Sequence, residues 1–214
     1  MSNYADMLTS DNAVLVMIDH QAGLMLFPGD IEPVDIRNNS IALAKVAHMH
    51  NLPVVFSAAD QGPKGPIGPI IPEIKELFPD APTIYRSKIN SWFDPNFRSA
   101  IEDTGRKQII IAGIDASFCQ GLPAKSMVAD GYDVWSCIDC SGNVSEITRA
   151  TAIANLTQAG VRCSNWVDVA CQLLEDWSAD EKKSKQLLDI YDQHLPQWGM
   201  LGTIDEVRKE MIAA

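Results

Sequence analysis

The sequence predicts a doubly wound three-layer α/β/α domain built on a six-stranded, mainly parallel sheet. Short runs of apolar, β-branched residues alternate along the chain with longer stretches whose apolar residues recur at helical spacing. Because parallel neighbours need a long return connection, this alternation favours crossover helices between parallel strands. Apolar residues make up 46 % of the 214 residues, which is enough for a core that needs neither a disulfide nor a metal.

Each predicted element follows from its local pattern. Residues 13–18 (Ala-Val-Leu-Val-Met-Ile) form a continuous apolar run, typical of a strand buried on both faces. Runs of the same kind predict further strands at residues 54–56, 83–85, 109–113, 133–138 and 161–163. Apolar periodicity predicts helices at residues 34–50, 96–103, 119–130 and 144–159. The Gly- and Pro-rich segment 61–72 is predicted to be a functional loop. We expect a single domain over residues 1–214, with residues 169–214 as a helical tail.

The charge balance argues against nucleic-acid binding. Lys and Arg number 17 and Asp and Glu 28, a net charge of −11, whereas phosphate-backbone binders need a basic stripe. No apolar run approaches the length of a membrane span. Residues 1–11 carry no basic residue, unlike a signal peptide, and five cysteines without a leader indicate free thiols. The expected location is the cytoplasm.

Three polar side chains follow predicted strands at the edge where open parallel sheets bind ligands. Asp19 ends the first strand, Lys88 follows the third and Cys119 follows the fourth. If the first and fourth strands flank the point where strand order reverses, Asp19 and Cys119 emerge side by side. A carboxylate can take a thiol proton and an ammonium can stabilise the anions, so the trio suits nucleophilic catalysis. A dipole from the helix predicted at 119–130 would favour the thiolate further. A strand cap, a solvated lysine and a small core cysteine are the structural alternatives.

Several local sequences resemble those of the isochorismatase-like cysteine hydrolases. They are residues 13–23, Lys88 with Ser91 and Phe93 after it, residues 109–119, residues 130–134 and residues 139–142. Residues 38–39, 78–82 and 146–149 are similar to the YcaC-like branch of that family. The resemblance covers residues 10 to about 200 and implies a Rossmann-like fold with no cofactor.

In that family the matching residues form the catalytic triad, which implies Asp19, Lys88 and Cys119 here. The resemblance also implies a cis peptide bond between Ile114 and Asp115, with backbone N–H groups of Ile114, Asp115 and Cys119 binding an oxyanion. The nucleophilic cysteine favours cleavage of a small amide or related C–N bond, because the namesake enzymes cleave a vinyl ether without it.

Other side chains are candidates for the wall of a small-molecule pocket. They are His20, Gln21, Phe27, Trp92, Phe93 and Phe118. Ordinary packing explains the aromatic residues equally well. No metal is expected, because residues 57–62 lack the Asp-x-His group of metal-binding relatives. No Gly-x-Gly-x-x-Gly follows the first strand, so dinucleotide binding has little support.

Ala116 and Ser117 depart from the family pattern, which often has Thr and an acidic residue there. Two alternatives to a hydrolase therefore stay open: a weak or inactive oligomeric binding protein, and a thiol redox sensor that uses Cys119 with Cys137 or Cys140. The apolar content of the tail predicts a homo-oligomer. The resemblance to the YcaC-like branch implies an octamer, whereas related hydrolases form dimers or tetramers.

Overall fold

The computed structural model describes residues 7–59 and 64–213, so part of the loop predicted at 61–72 lies outside the described residues. Within the described part, one six-stranded sheet has the order β3-β2-β1-β4-β5-β6, and every neighbouring pair is parallel. Its strands are β1 (Ala13–Ile18), β2 (Val54–Ala59), β3 (Thr83–Arg86), β4 (Gln108–Gly113), β5 (Asp133–Cys137) and β6 (Arg162–Ser164). The predicted fold class is confirmed, with a sheet that is parallel throughout.

Helices flank the sheet and connect its strands. They are α1 (Pro33–Met49), α2 (Pro72–Lys75), α3 (Pro95–Glu102), α4 (Gly121–Ala129), α5 (Glu146–Gln158), α6 (Trp166–Leu174), α7 (Glu181–His194) and α8 (Pro196–Ala213). Short 3₁₀ turns lie at Leu24–Leu26, Ser91–Phe93 and Ile138–Cys140, and the last of these ends β5 one residue earlier than predicted. None of the helices in the described part of the chain is both long and apolar enough to cross a membrane.

The central strands are buried on both faces. Every residue of β1 and β4 is buried, which is why their sequences are continuous apolar runs rather than alternating ones. Val14 and Val16 of β1 share one hydrophobic cluster with Phe97 of α3 and Met127 of α4. Burying each such side chain contributes roughly 1.5–3 kcal/mol, so the strand ends project from a firmly packed layer.

The strand order reverses at β1, which pairs with β2 on one side and β4 on the other. Ile18, the last residue of β1, lies opposite Ser57 of β2 and Gly113 of β4. A side chain at position 113 would place its Cβ 2.8 Å from Gln120 Cβ and 3.0 Å from Ile18 Cβ, so glycine lets the chain turn there. Residues that follow β1 and β4 therefore leave the sheet at the same edge, as expected.

The chain divides into two compact units, the first ending at Leu173 and the second spanning Leu174–Ala214. Residues 169–173, assigned to the tail from sequence, thus belong to the first unit. There Val169 and Ala170 of α6 are buried, and Gln172 Oε1 accepts a hydrogen bond from Leu8 N. In the second unit, Tyr191 packs edge-on against Trp177 and Trp198, with ring centroids 6.3 Å and 5.5 Å apart.

Candidate active site

A buried ion pair lies at the point where strand order reverses. Asp19 follows β1 with φ 60°, and its Oδ2 lies 2.6 Å from Nη2 of Arg86, the last residue of β3. The Asp19 side chain is 0 % exposed and the Arg86 side chain 3 %. Removing two charges from water is costly unless they are paired and hydrogen-bonded, so each of these groups depends on the other.

The Arg86 guanidinium is fixed by two further hydrogen bonds. Its Nε donates to Ser57 Oγ at 2.8 Å, and its Nη1 donates to the Lys88 carbonyl oxygen at 2.8 Å. The three nitrogens thus contact Asp19 after β1, Ser57 in β2 and the segment after β3. A planar guanidinium whose three nitrogens are all hydrogen-bonded keeps its positive charge in a fixed position.

The sequence predicts that Lys88 is the cation beside Asp19, whereas the structure has Arg86 in that position. Lys88 is exposed, and only its backbone carbonyl takes part in the network around Asp19. Arg86 precedes it by two residues and ends the strand, so its side chain points inward while the chain beyond it has already turned outward. The signal was available in the sequence: a basic residue at the carboxyl end of the predicted third strand.

Cys119 lies in the turn between β4 and α4 and is half-buried. Helix α4 begins at Gly121, so Cys119 precedes the helix rather than opening it. This position does not support the predicted stabilisation of the Cys119 thiolate by the helix dipole. Burial and the Asp19 charge raise the pKa of the Cys119 thiol to about 11, although Arg86 opposes the increase. Burial also raises the pKa of Asp19, against the lowering effect of Arg86 and of a hydrogen bond with Cys119. At neutral pH the thiol is therefore protonated.

In the turn from residue 114 to residue 120, some backbone N–H groups are hydrogen-bonded and others are not. The peptide bond between Ile114 and Asp115 is cis, the geometry that the family resemblance implies for it. Ile114 N donates to Ile18 O at 3.2 Å, so it is not an oxyanion donor, contrary to the expectation. Among the described residues, the N–H groups of Asp115 and Cys119 have no acceptor, whereas those of residues 116, 117, 118 and 120 are bonded.

Three of the predicted pocket residues are structural. His20 is fully buried, Nε2 lies 3.0 Å from Cys140 O, and burial lowers its pKa to about 4, so it is neutral and donates this bond. Gln21 bonds both backbone groups of Ala59 and the Gly68 carbonyl. Trp92 is buried and donates to Asp130 Oδ2 at 2.8 Å.

The other three are exposed aromatic residues. Phe27, Phe93 and Phe118 are 49 %, 62 % and 38 % exposed. They follow β1, β3 and β4 respectively, and parallel strands bring these positions to one edge of the sheet. These three rings are exposed, whereas His20, Gln21 and Trp92 are buried.

A second cluster has the composition of a metal site. In the described part of the chain, ligand atoms of Cys137, Asp139 and Cys140 lie within 4.8 Å of one another. Burial raises the pKa of both thiols, which disfavours the thiolate form that binds metals. Asp139 already accepts a hydrogen bond from Trp166 N at the start of α6. Asp139 therefore links the Ile138–Cys140 turn to the start of α6.

Comparison with known proteins gives consistent relatives. Residues 13–168 match the isochorismatase domain family. The probable hydrolase YcaC of Escherichia coli (strain K12) is 40 % identical over 198 residues, which are 92 % of this chain and 92 % of that protein. Its crystal structure, described as an octameric hydrolase of unknown specificity, has a TM-score of 0.89 at 38 % identity and covers 97 % of this chain and 99 % of that one.

YcaC from Pseudomonas aeruginosa, in a structure with hexane-2,5-diol and covalent acrylamide, also has a TM-score of 0.89. It is 36 % identical, and the match covers 96 % of this chain and 100 % of that one. The fold, the domain match and these relatives agree, and the chain belongs to the isochorismatase family of hydrolases.

Proposed function

We propose that this chain is a cysteine hydrolase that cleaves a small amide or related C–N bond through a thioester on Cys119. The observation that carries the proposal is the buried Asp19–Arg86 pair next to the Cys119 thiol. In this arrangement one proton can move between the Asp19 carboxylate and the Cys119 sulfur. The fixed cation stabilises whichever of the two groups is the anion.

In the first step, Asp19 takes the thiol proton as Cys119 Sγ attacks the substrate carbonyl carbon. The negative charge moves from Asp19 to sulfur and then to the carbonyl oxygen, while the Arg86 charge stays in place. Arg86 lowers the pKa of both Asp19 and Cys119, so it stabilises each anion in turn. This is the role that the sequence assigned to Lys88.

The tetrahedral oxyanion accepts hydrogen bonds from the unused N–H groups of Asp115 and Cys119. Removing one such donor costs about 2.7–4 kcal/mol in enzymes of this kind. Asp19 returns its proton to the leaving nitrogen as the C–N bond breaks, which leaves a thioester. Asp19 then takes a proton from a water molecule that attacks the thioester carbonyl carbon. The C–S bond breaks, the proton passes from Asp19 to Sγ, and the acid is released.

The relatives support a reactive thiol. Acrylamide is a soft electrophile that thiolates attack, and the P. aeruginosa YcaC structure carries it covalently. A small-molecule substrate agrees with the exposed Phe27, Phe93 and Phe118, which follow β1, β3 and β4. The five cysteines are free, which supports a reducing compartment and hence the cytoplasm.

The first experiment compares Cys119 with the other thiols. Cys163 and Cys171 are exposed, so both are changed to Ser to give a background protein. We expect one equivalent of acrylamide to label this protein at Cys119, by intact mass and peptide mapping, and Cys119→Ser to remove the label. In a screen of small amides, carbamoyl compounds and nitriles, Cys119→Ala should abolish turnover.

Turnover that survives in Cys119→Ala at more than about a tenth of the wild-type rate would contradict the nucleophile. Labelling without turnover of any compound would favour the inactive binding protein, and oxidant-induced disulfides to Cys119 would favour the redox sensor.

The pH dependence tests whether Asp19 acts as the general base or only as a negative charge beside the thiol. The ultraviolet difference between wild type and Cys119→Ser should show the thiolate forming with a midpoint near pH 11. Asp19→Asn removes the negative charge that raises this pKa, so the midpoint should fall. Turnover at neutral pH should fall as well, by about 10²–10⁴, because the base is lost. An unchanged midpoint, or faster turnover that follows the larger thiolate fraction, would refute Asp19 as the base.

A homo-oligomer is the proposed assembly, and an octamer is its expected size. The E. coli relative is described as octameric, and α8 exposes several apolar side chains: Met200, Leu201, Ile204, Met211 and Ile212. A closed symmetric contact is the usual way to cover such a surface. Light scattering should report at least a dimer, and deletion of residues 174–214, the whole second unit, should lower the mass or precipitate the protein. A stable, active monomer would contradict this assembly.

A further inference from the structure

Asp115 holds most of the nucleophile turn, which we define as residues 114–120. Its carboxylate Oδ1 accepts the Ser117 N–H at 2.5 Å. Its carbonyl oxygen accepts the Phe118 N–H at 3.3 Å and the Gln120 N–H at 3.0 Å. One buried residue thus binds the N–H groups on both sides of Cys119 and leaves that of Cys119 itself unused.

The same carboxylate joins the turn to the segment after the Ile138–Cys140 turn. Asp115 Oδ2 accepts the Val144 N–H at 3.1 Å. That segment is fixed independently, because Asn143 N donates to Asp30 Oδ1 at 2.8 Å and Arg149 Nε donates to Asp30 Oδ2 at 2.7 Å. Asp115 therefore ties this turn to a segment that the ion pair between Asp30 and Arg149 holds in place.

We propose that Asp115 is a positioning residue that keeps the Cys119 N–H aimed at the developing oxyanion. The proposal rests on the hydrolase mechanism above. Without the carboxylate, the Ser117 and Val144 N–H groups lose their acceptor. A buried unpaired donor costs about 1–3 kcal/mol, so the turn rearranges until these groups find other partners. The Cys119 N–H lies on the same turn and moves with it.

Two electrophiles distinguish this effect from a general loss of thiol reactivity. With acrylamide, Asp19 takes the thiol proton as Sγ bonds to the β-carbon, the C=C electron pair forms a bond between the α-carbon and the carbonyl carbon, and the C=O pair moves onto the oxygen as an enolate. The proton then passes from Asp19 to the α-carbon as the C=O bond forms again. With iodoacetamide, Sγ displaces iodide at the methylene carbon, and the amide oxygen takes no added charge. Only the first reaction gains from an oxyanion donor.

The test measures the ratio of the acrylamide to the iodoacetamide rate constant at Cys119, in the Cys163→Ser/Cys171→Ser background. Asp115→Asn keeps the shape but replaces one acceptor oxygen with an NH₂ group. We expect the ratio to fall about 10- to 100-fold, because displacing a donor should cost less than the roughly 10²–10³-fold loss that follows removal of one. Asp139→Asn is the matched control, since Asp139 is also a largely buried carboxylate that accepts a backbone N–H, and it should leave the ratio unchanged.

A ratio that stays at the wild-type value in Asp115→Asn, or falls equally in Asp139→Asn, overturns the proposal. If Asp115→Asn does not fold, Asp115→Ser provides the test: its hydroxyl can accept the Ser117 N–H but cannot reach Val144, and an unchanged ratio there overturns the proposal too. Free glutathione supplies the reference for the mechanism itself. A wild-type ratio equal to that of glutathione would mean no oxyanion assistance, which contradicts the proposed function and not only the role of Asp115.

Discussion

The ion pair between Asp19 and Arg86 is the interaction on which the site depends. A fully buried carboxylate without a cation would take up a proton, and a protonated Asp19 cannot accept one from Cys119. Arg86 opposes that outcome while its other two nitrogens are bonded to Ser57 and to the Lys88 carbonyl. Burying the pair costs desolvation free energy when the chain folds. In the site, the pair provides a base with a fixed counter-charge.

The sheet brings these groups together because its order reverses at β1. β1 carries Asp19, its neighbour β2 carries Ser57, and its other neighbour β4 leads into the turn with Cys119. Burial of β1 and β4 on both faces keeps the strand ends in register. The nucleophile turn has no regular structure of its own, so hydrogen bonds that the Asp115 carboxylate accepts replace the ladder that a strand would provide.

The sequence predicted the parts of this arrangement that follow from long patterns. Apolar runs located the strands, and the reversal rule paired Asp19 with Cys119, which lie 100 positions apart in the sequence. It did not distinguish Arg86 from Lys88, because motif spacing does not tell where a strand ends and a side chain turns from inside to outside. It also placed Cys119 at the start of a helix, because helical periodicity extends through the turn that precedes Gly121. His20, Gln21 and Trp92 look like pocket residues in sequence, and only their hydrogen-bond partners reveal them as structural.

The most direct test of the account is the protonation state of Asp19, measured by infrared spectroscopy as the difference between wild type and Asp19→Asn. At pH 8 the wild type should show the ionised carboxylate stretch. Arg86→Met, which keeps the side-chain stem but removes the charge, should shift Asp19 to the protonated carboxyl band, and Lys88→Met should leave it ionised. An ionised Asp19 in Arg86→Met, or a protonated one in Lys88→Met, would contradict the claim that Arg86 is the cation of this site.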